Sequence, residues 1–422
     1  MLISQNFIFI IGAVMANRIN WRAFGPGILI ASAAIGGSHL IASTQAGALY
    51  GWQLAIIILL ANFFKYPFFR FATDYAYETG DSLITGYAKK SKFYLWAFFI
   101  LSILSGMIST GAVVLLTAVI LSYMLPFELS TVVLSAVMVV ASWALLIFGH
   151  FRMLDNVTKW IIILLTVTTV LAVMVAGAKA TPPAPDFVAV SPFNMAGLAF
   201  IIALMGWMPT PLEFSAISSV WTAKKIRDDH PTHEQGLLDF NVGYLTSTIL
   251  ALFFLALGVF VQYGTGQEIA MQGGAYIGQL INMYTNTIGE WSRGLVTFIA
   301  FLCMFGTIIT CVDGYGRANA ECFTLISGHK STGKITSFWT TVTAITGFGL
   351  ITFFMGQMAT LLKFAMISAF VTAPIFAYLN YSLIKSHGKK CSPMMNIYAI
   401  CGIVFLAGFT VLFLLQFFQI IG

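Results

Sequence analysis

The chain has 422 residues, 59% of them hydrophobic and only 9% charged. A soluble domain carries about 25% charged residues, so most of this chain has no water to face and no soluble domain of useful size is left over. The net charge of +6 would suggest nucleic acid in a soluble protein, but here its position along the chain matters more than its sum.

A membrane-spanning helix needs about 20 apolar residues, so the length allows about ten to twelve spans. The chain opens on a short apolar run before Arg18. That run is too short to span and has no basic residue ahead of it, which argues against a signal peptide. It reads as an extended start upstream of Met15, leaving residues 1–14 outside the native protein, or as a flexible tail. Apolar runs then place eleven helices at about 25–50, 51–70, 93–122, 129–149, 156–178, 194–222, 238–263, 291–320, 335–355, 357–384 and 396–420. The first five (25–178) and the next five (194–384) form two halves, and the last helix is extra. An odd number of helices per half inverts one half relative to the other.

With the N-terminus in the cytoplasm, all of the 21 Lys and Arg except Lys179, Arg293 and Lys363 fall at cytoplasmic ends or loops. Lys65 and Arg70 are among them, at the close of span two. This is the asymmetry expected of a multi-pass protein of the cell (inner) membrane. Lys363 falls inside a span, where it either snorkels or balances a cavity acid.

Two spans are interrupted. Span one contains Ala34-Ile35-Gly36-Gly37-Ser38-His39, and each mid-span glycine weakens a helix by about 1 kcal/mol. Span six contains Met205-Gly206-Trp207-Met208-Pro209-Thr210-Pro211, whose prolines remove two backbone donors. Backbone freed at that depth must line a cavity or meet something polar. Matched interruptions in corresponding spans of two inverted halves point to a transporter's midplane binding site; an ordinary kink in each helix is the alternative.

Gly25-Pro26-Gly27 opens span one and Gly47-Ala48-Leu49-Tyr50-Gly51 closes it. Thr79-Gly80-Asp81-Ser82-Leu83 follows span two, and span six carries Met208-Pro209. In these segments, in helix count and in orientation, the chain resembles the Nramp family of metal-ion transporters. The resemblance covers most of the chain and implies the LeuT-type fold and secondary active transport by alternating access. The departures lie at the chemistry. Gly36 stands where the family has its metal-binding Asp, His39 where it has Asn, and Thr210 where it has His; Met208 is kept. The run Ser105–Gly111 lacks the acid of the family's third span, and the glutamine of its tenth span falls near Ile367 and Ser368. Mid-membrane divalent ions need oxygen ligands and compensating charge, and Met208 alone does not supply them.

The altered site suits a small polar, anionic or zwitterionic solute. Gly36, Gly37 and Ser38 would offer N–H groups at a half-helix N-terminus. Trp207 is either a cavity wall or plain packing. Glu213 is either a substrate or proton-coupling carboxylate, or the partner of Thr210 in a Thr-Pro-Leu-Glu capping box. His39 at midplane is a candidate for proton coupling, or a hydrogen-bonded packing residue. A divalent-metal carrier using His39, Met208, Thr210 and Glu213 is the alternative. The coupling ion is open between proton and sodium. Asp313, Arg317 and Glu321, four apart, would form an ion-pair ladder near the cytoplasmic end of span eight, with Thr307 and Thr310 as cavity or ion-site hydroxyls. Cys303, Cys311, Cys322, Cys391 and Cys401 show no metal-type or paired spacing. No phosphate-binding loop, Cys/His cluster or nucleophile elbow is present, so neither an enzyme, a resident cofactor nor a nucleic-acid partner is expected.

Overall fold

The computed structural model describes residues 25–148, 151–180, 183, 185–270, 273–330, 332–387 and 392–421. The N-terminal run, Arg18, Arg22, Lys389, Lys390 and Cys391 lie outside them. Among the described residues all regular structure is helical. Span one is α1 (Pro26–Ala34), a wide turn at Ser38–Ser43 and α2 (Thr44–Tyr50). Then come α3 (Ala55–Thr79), a short α4 (Leu83–Lys90), α5 (Lys92–Ser122), α6 (Thr131–Phe148) and α7 (Phe151–Ala178). Span six is α8 (Met195–Gly206) and α9 (Phe214–Asp229). The chain continues with α10 (His233–Val261), α11 (Gly273–Ile288), α12 (Arg293–Ser327), α13 (Gly333–Phe353), α14 (Met358–Ser386) and α15 (Pro393–Phe417). The eleven expected spans are accounted for, and both breaks fall where the glycines and prolines predict. Eight stretches are long and apolar enough to cross a membrane whole, and two shorter apolar helices include α8.

Two helices, α4 and α11, were not expected. Ser82 caps α4 by accepting from the Thr85 N–H, and Lys89 and Lys90 end it. It is a short polar-edged connector, too short for the span criterion used on the sequence.

Span one lies along α10 through two close approaches. A Cβ on Gly27 would stand 2.1 Å from the Asp239 carbonyl oxygen, and one on Gly243 2.0 Å from that of Gly27. At the other end, a Cβ on Gly47 would stand 2.0 Å from the Leu255 oxygen and one on Gly258 2.1 Å from that of Thr44. Only glycine fits at such distances. This is the small-residue packing that lets helices in a bilayer touch backbone to backbone, and it explains the glycines at both ends of span one. Asp239 also accepts from the N–H groups of Gly25 (3.2 Å) and Gly27 (2.7 Å), satisfying the first turn of α1.

The expected position of Lys65 is overturned. The helix that holds it runs on to Thr79 and stops at Gly80, whose φ of 75° makes it a left-handed C-cap. Lys65 is therefore mid-helix and fully buried, not at a cytoplasmic end. Lys363, by contrast, is exposed on the surface of α14, where a long apolar stem lets its charge snorkel.

Candidate functional site

The two breaks face one another. Between them lies a small cavity lined by Ala33, Ala34, Gly37 and Ser38 from span one and Trp207, Thr210, Pro211 and Phe214 from span six. Ser109 and Val113 of α5 and Thr307 and Cys311 of α12 close it. The Trp207 ring lies over Gly37, where a Cβ would come within 3.2 Å of it. Leu40 and His39 return their N–H groups to the Gly36 oxygen. Two buried polar atoms on the wall have no partner: the Trp207 indole Nε1 and the Thr210 hydroxyl. Buried polar atoms without partners are uncommon.

Lys65 reaches span six from behind. Its Nζ donates to the carbonyl oxygens of Met205 (2.8 Å), Gly206 (2.9 Å) and Thr210 (3.4 Å). The first two belong to the last turn of α8, where the helix ends and its carbonyls lose their partners. An ammonium there also meets the negative end of the helix dipole. Glu213, fully buried, is the nearby acid acting on Lys65, and one of its oxygens accepts from the Tyr315 hydroxyl at 2.9 Å.

The capping box does not form. The Glu213 side chain makes no cap bond to α9, and the Thr210 hydroxyl makes no bond at all. Met208–Pro209 is cis, and the chain turns so that Glu213 faces α12 rather than the helix start. His39 is also not on the cavity wall. Its Nε2 lies 2.8 Å from the Ser247 carbonyl oxygen and its Nδ1 2.9 Å from the Ser38 hydroxyl, with Phe254 edge-on against the ring. Gly36 is set back against Thr307, and Met208 is buried away from the wall. Of His39, Met208, Thr210 and Glu213, Thr210 alone lines the cavity. Among the described residues no group of three His, Cys, Asp or Glu is placed to hold a metal.

Of the expected ladder on α12, the Asp313–Arg317 rung is present, with Arg317 Nε 2.7 Å from Asp313. Asp313 also accepts from the Trp221 indole at 3.1 Å. Glu321 takes the hydroxyls of Thr85 (2.7 Å) and Ser82, tying α12 to the start of α4. Thr307 lines the cavity, whereas the Thr310 hydroxyl folds back on its own helix. Sequence reasoning missed Lys65 altogether. The signal was available in Gly80, which sets the true end of the helix.

The chain is 50% identical over 401 residues to an uncharacterized protein of Pasteurella multocida (strain Pm70), covering 94% of this chain and 92% of that one. Its fold is similar to a solved structure of a manganese transporter of Eremococcus coleocola, with a TM-score of 0.72 at 15% identity over 92% of this chain and 85% of that one. It is also similar to the inward-facing structure of the transporter Mhp1, with a TM-score of 0.59 at 15% identity over 93% and 89% of the two chains. The fold is accordingly of the LeuT type. The model of the natural resistance-associated macrophage protein-like (Nramp) family matches residues 27–416, and the chain belongs to that family, whose members are membrane transporters rather than enzymes.

Proposed function

We propose that this transporter carries a small anionic or zwitterionic solute in the cavity between its two breaks, with the N-terminus in the cytoplasm and the halves 25–178 and 194–384 moving as inverted repeats in alternating access. The observation that carries the reading is the Lys65 ammonium on the carbonyls of Met205 and Gly206. The oxygens that the break in span six sets free are already held by a resident cation. A divalent ion would meet a positive charge where it needs oxygen ligands, and no carboxylate lines the wall to offset it. An anionic group meets the opposite: the start of the second half of span one at Gly37 and Ser38, the Trp207 indole N–H and the Thr210 hydroxyl. The apolar remainder of the wall suits the body of an organic solute.

His39, engaged at both ring nitrogens, serves in this reading to hold Ser38 in place. Glu213 serves as the charge partner of Lys65. Divalent metal transport remains the second reading, because the structural neighbour from Eremococcus coleocola is a manganese transporter.

Purified protein is titrated with Mn²⁺ by calorimetry, and proteoliposomes are tested for uptake of Mn²⁺ and of a panel of radiolabelled amino acids and carboxylates. We expect no saturable Mn²⁺ binding and saturable uptake of at least one carboxylate-bearing solute. Saturable Mn²⁺ uptake abolished by Met208→Ala, with no organic solute carried, would overturn the reading.

A further inference from the structure

Three elements end or begin together beyond span two: α4 closes on Lys90, α5 opens on Lys92 and α14 finishes at Ser386. The Lys90 ammonium donates to the carbonyl oxygen and the hydroxyl of Ser382 on α14, and it stands 4.7 Å from the centre of the Tyr94 ring on α5. Tyr94 closes the triangle, its hydroxyl 2.8 Å from that of Ser382. One turn on, the Lys385 ammonium lies 5.8 Å from the centre of the Tyr381 ring, and Asn396 of α15 fixes that ring by accepting from its hydroxyl at 2.7 Å. Tyr378, Ser382 and Lys385 follow at helical spacing and share one face of α14. The Tyr378 hydroxyl is near enough to act on Lys90, and that tyrosine is exposed. The two lysines thus flank one patch of hydroxyls. Charge at this patch is unbalanced. Lys89 pairs with Asp81, Lys225 with Asp229 and Arg70 with Asp74, but among the described residues no acid pairs with Lys90 or Lys385. An ammonium has three donors, so Lys90 keeps one after Ser382 takes two.

We infer that Lys90 and Lys385, with the hydroxyls of Tyr378 and Ser382, hold the anionic phosphate of a phospholipid headgroup in the leaflet at this end of the bundle. Lysine binds phosphate as a point charge, and basic pockets between membrane helices take anionic headgroups. The place fits a lipid rather than a soluble anion. Lys385 stands in the last turn of a helix long and apolar enough to cross the membrane, at the level where tyrosines collect in the interface. Deeper along the same two helices, Ile375 of α14 and Ile100 and Leu104 of α5 are exposed, an apolar surface for acyl chains. A free phosphate would gain the two ammonium groups but nothing from that surface. None of these residues lines the cavity between the breaks, so the lipid site stands apart from the solute reading. Because α4 is also tied to α12 through Glu321, a lipid bridging Lys90 and Lys385 would pin that connector against α14 as well.

The test uses the full chain, delipidated in detergent. Native mass spectrometry counts the lipid bound as phosphatidylglycerol or phosphatidylcholine is titrated in, with inorganic phosphate as the soluble competitor. Wild type should bind phosphatidylglycerol saturably and ahead of phosphatidylcholine, and phosphate at equal concentration should not displace it. One lysine near a membrane surface contributes about fivefold in affinity for an anionic lipid. Lys385→Gln should therefore weaken phosphatidylglycerol binding about fivefold, and Lys90→Gln/Lys385→Gln about thirtyfold, if the two add. Lys385→Arg should retain binding. Lys334→Gln, at an exposed position in the first turn of α13, removes the same charge and should leave binding unchanged. Equal binding of the two lipids overturns the site. So does an equal loss in Lys334→Gln and Lys385→Gln, which would show only the general attraction of a basic surface. Displacement by inorganic phosphate at equal concentration overturns the assignment to a lipid. If the double variant fails to fold, Lys385→Gln, at an exposed position, decides alone.

Discussion

Replacing Lys65 with Met tests the resident cation at its source. Methionine keeps the length and the apolar stem but removes the ammonium. Two well-formed bonds are lost, at 2.8 and 2.9 Å, together with a longer contact at 3.4 Å. Hydrogen bonds to a charged group contribute about 1.5–3 kcal/mol each, so the two good ones set a loss of about 3–6 kcal/mol. Much of the loss is the unpaired carbonyls of Met205 and Gly206 and the uncompensated Glu213. Part of it should therefore return in the double variant Lys65→Met/Glu213→Gln, where the acid is neutralised as well. The assay is thermal unfolding in detergent, read by tryptophan fluorescence for wild type, both single variants and the double. A Lys65→Met protein that melts within a degree of wild type would refute the reasoning. So would strictly additive losses in the double variant, because residues that share a charge must couple.

Trp207→Phe retains the ring over Gly37 and removes the unpartnered N–H; it should weaken solute binding about tenfold, near 1.4 kcal/mol, with little change in melting temperature. Gly258→Leu forces a side chain into the Thr44 carbonyl, 2.1 Å from where its Cβ must sit; little folded protein should be recovered by size-exclusion chromatography, while Gly408→Ala, on α15 with open space where its Cβ would stand, should be recovered normally. Lys89→Ala breaks a surface pair with Asp81 that lifts the lysine ammonium above its ordinary range. Because exposed pairs contribute about 0–1 kcal/mol, its melting curve should overlay that of wild type between low and high salt.

The architecture was legible because bilayer physics is written in long apolar runs and in the glycines and prolines that interrupt them. The breaks at Gly36-Gly37 and Pro209–Pro211 stood out for that reason, and the geometry places the cavity between them. Lys65 was misplaced because the apolar run ends near residue 70, whereas the helix does not. Fourteen residues separate Lys65 from Thr79, about 21 Å at the helical rise, enough to move a charge from the membrane edge to its middle. The Glu213 cap was misread because local spacing favours a capping box, and tertiary partners on α12 and α3 outweighed it. His39 could not be resolved from sequence, since its partners are a neighbouring hydroxyl and a carbonyl 208 positions away.

The glycine contacts at the two ends of span one have a mechanical consequence. Gly27 against Gly243 and Gly47 against Gly258 rivet the span to α10 on either side of its interruption, like two hinges on one post. A tilt of α10 is then handed to both half-helices together. The stretch between the rivets, Ile35 to Ser38, has no continuous helix to stiffen it, so it absorbs whatever bending remains. Load and cargo would therefore meet at the same four residues: the part of the machine that flexes is the part that grips.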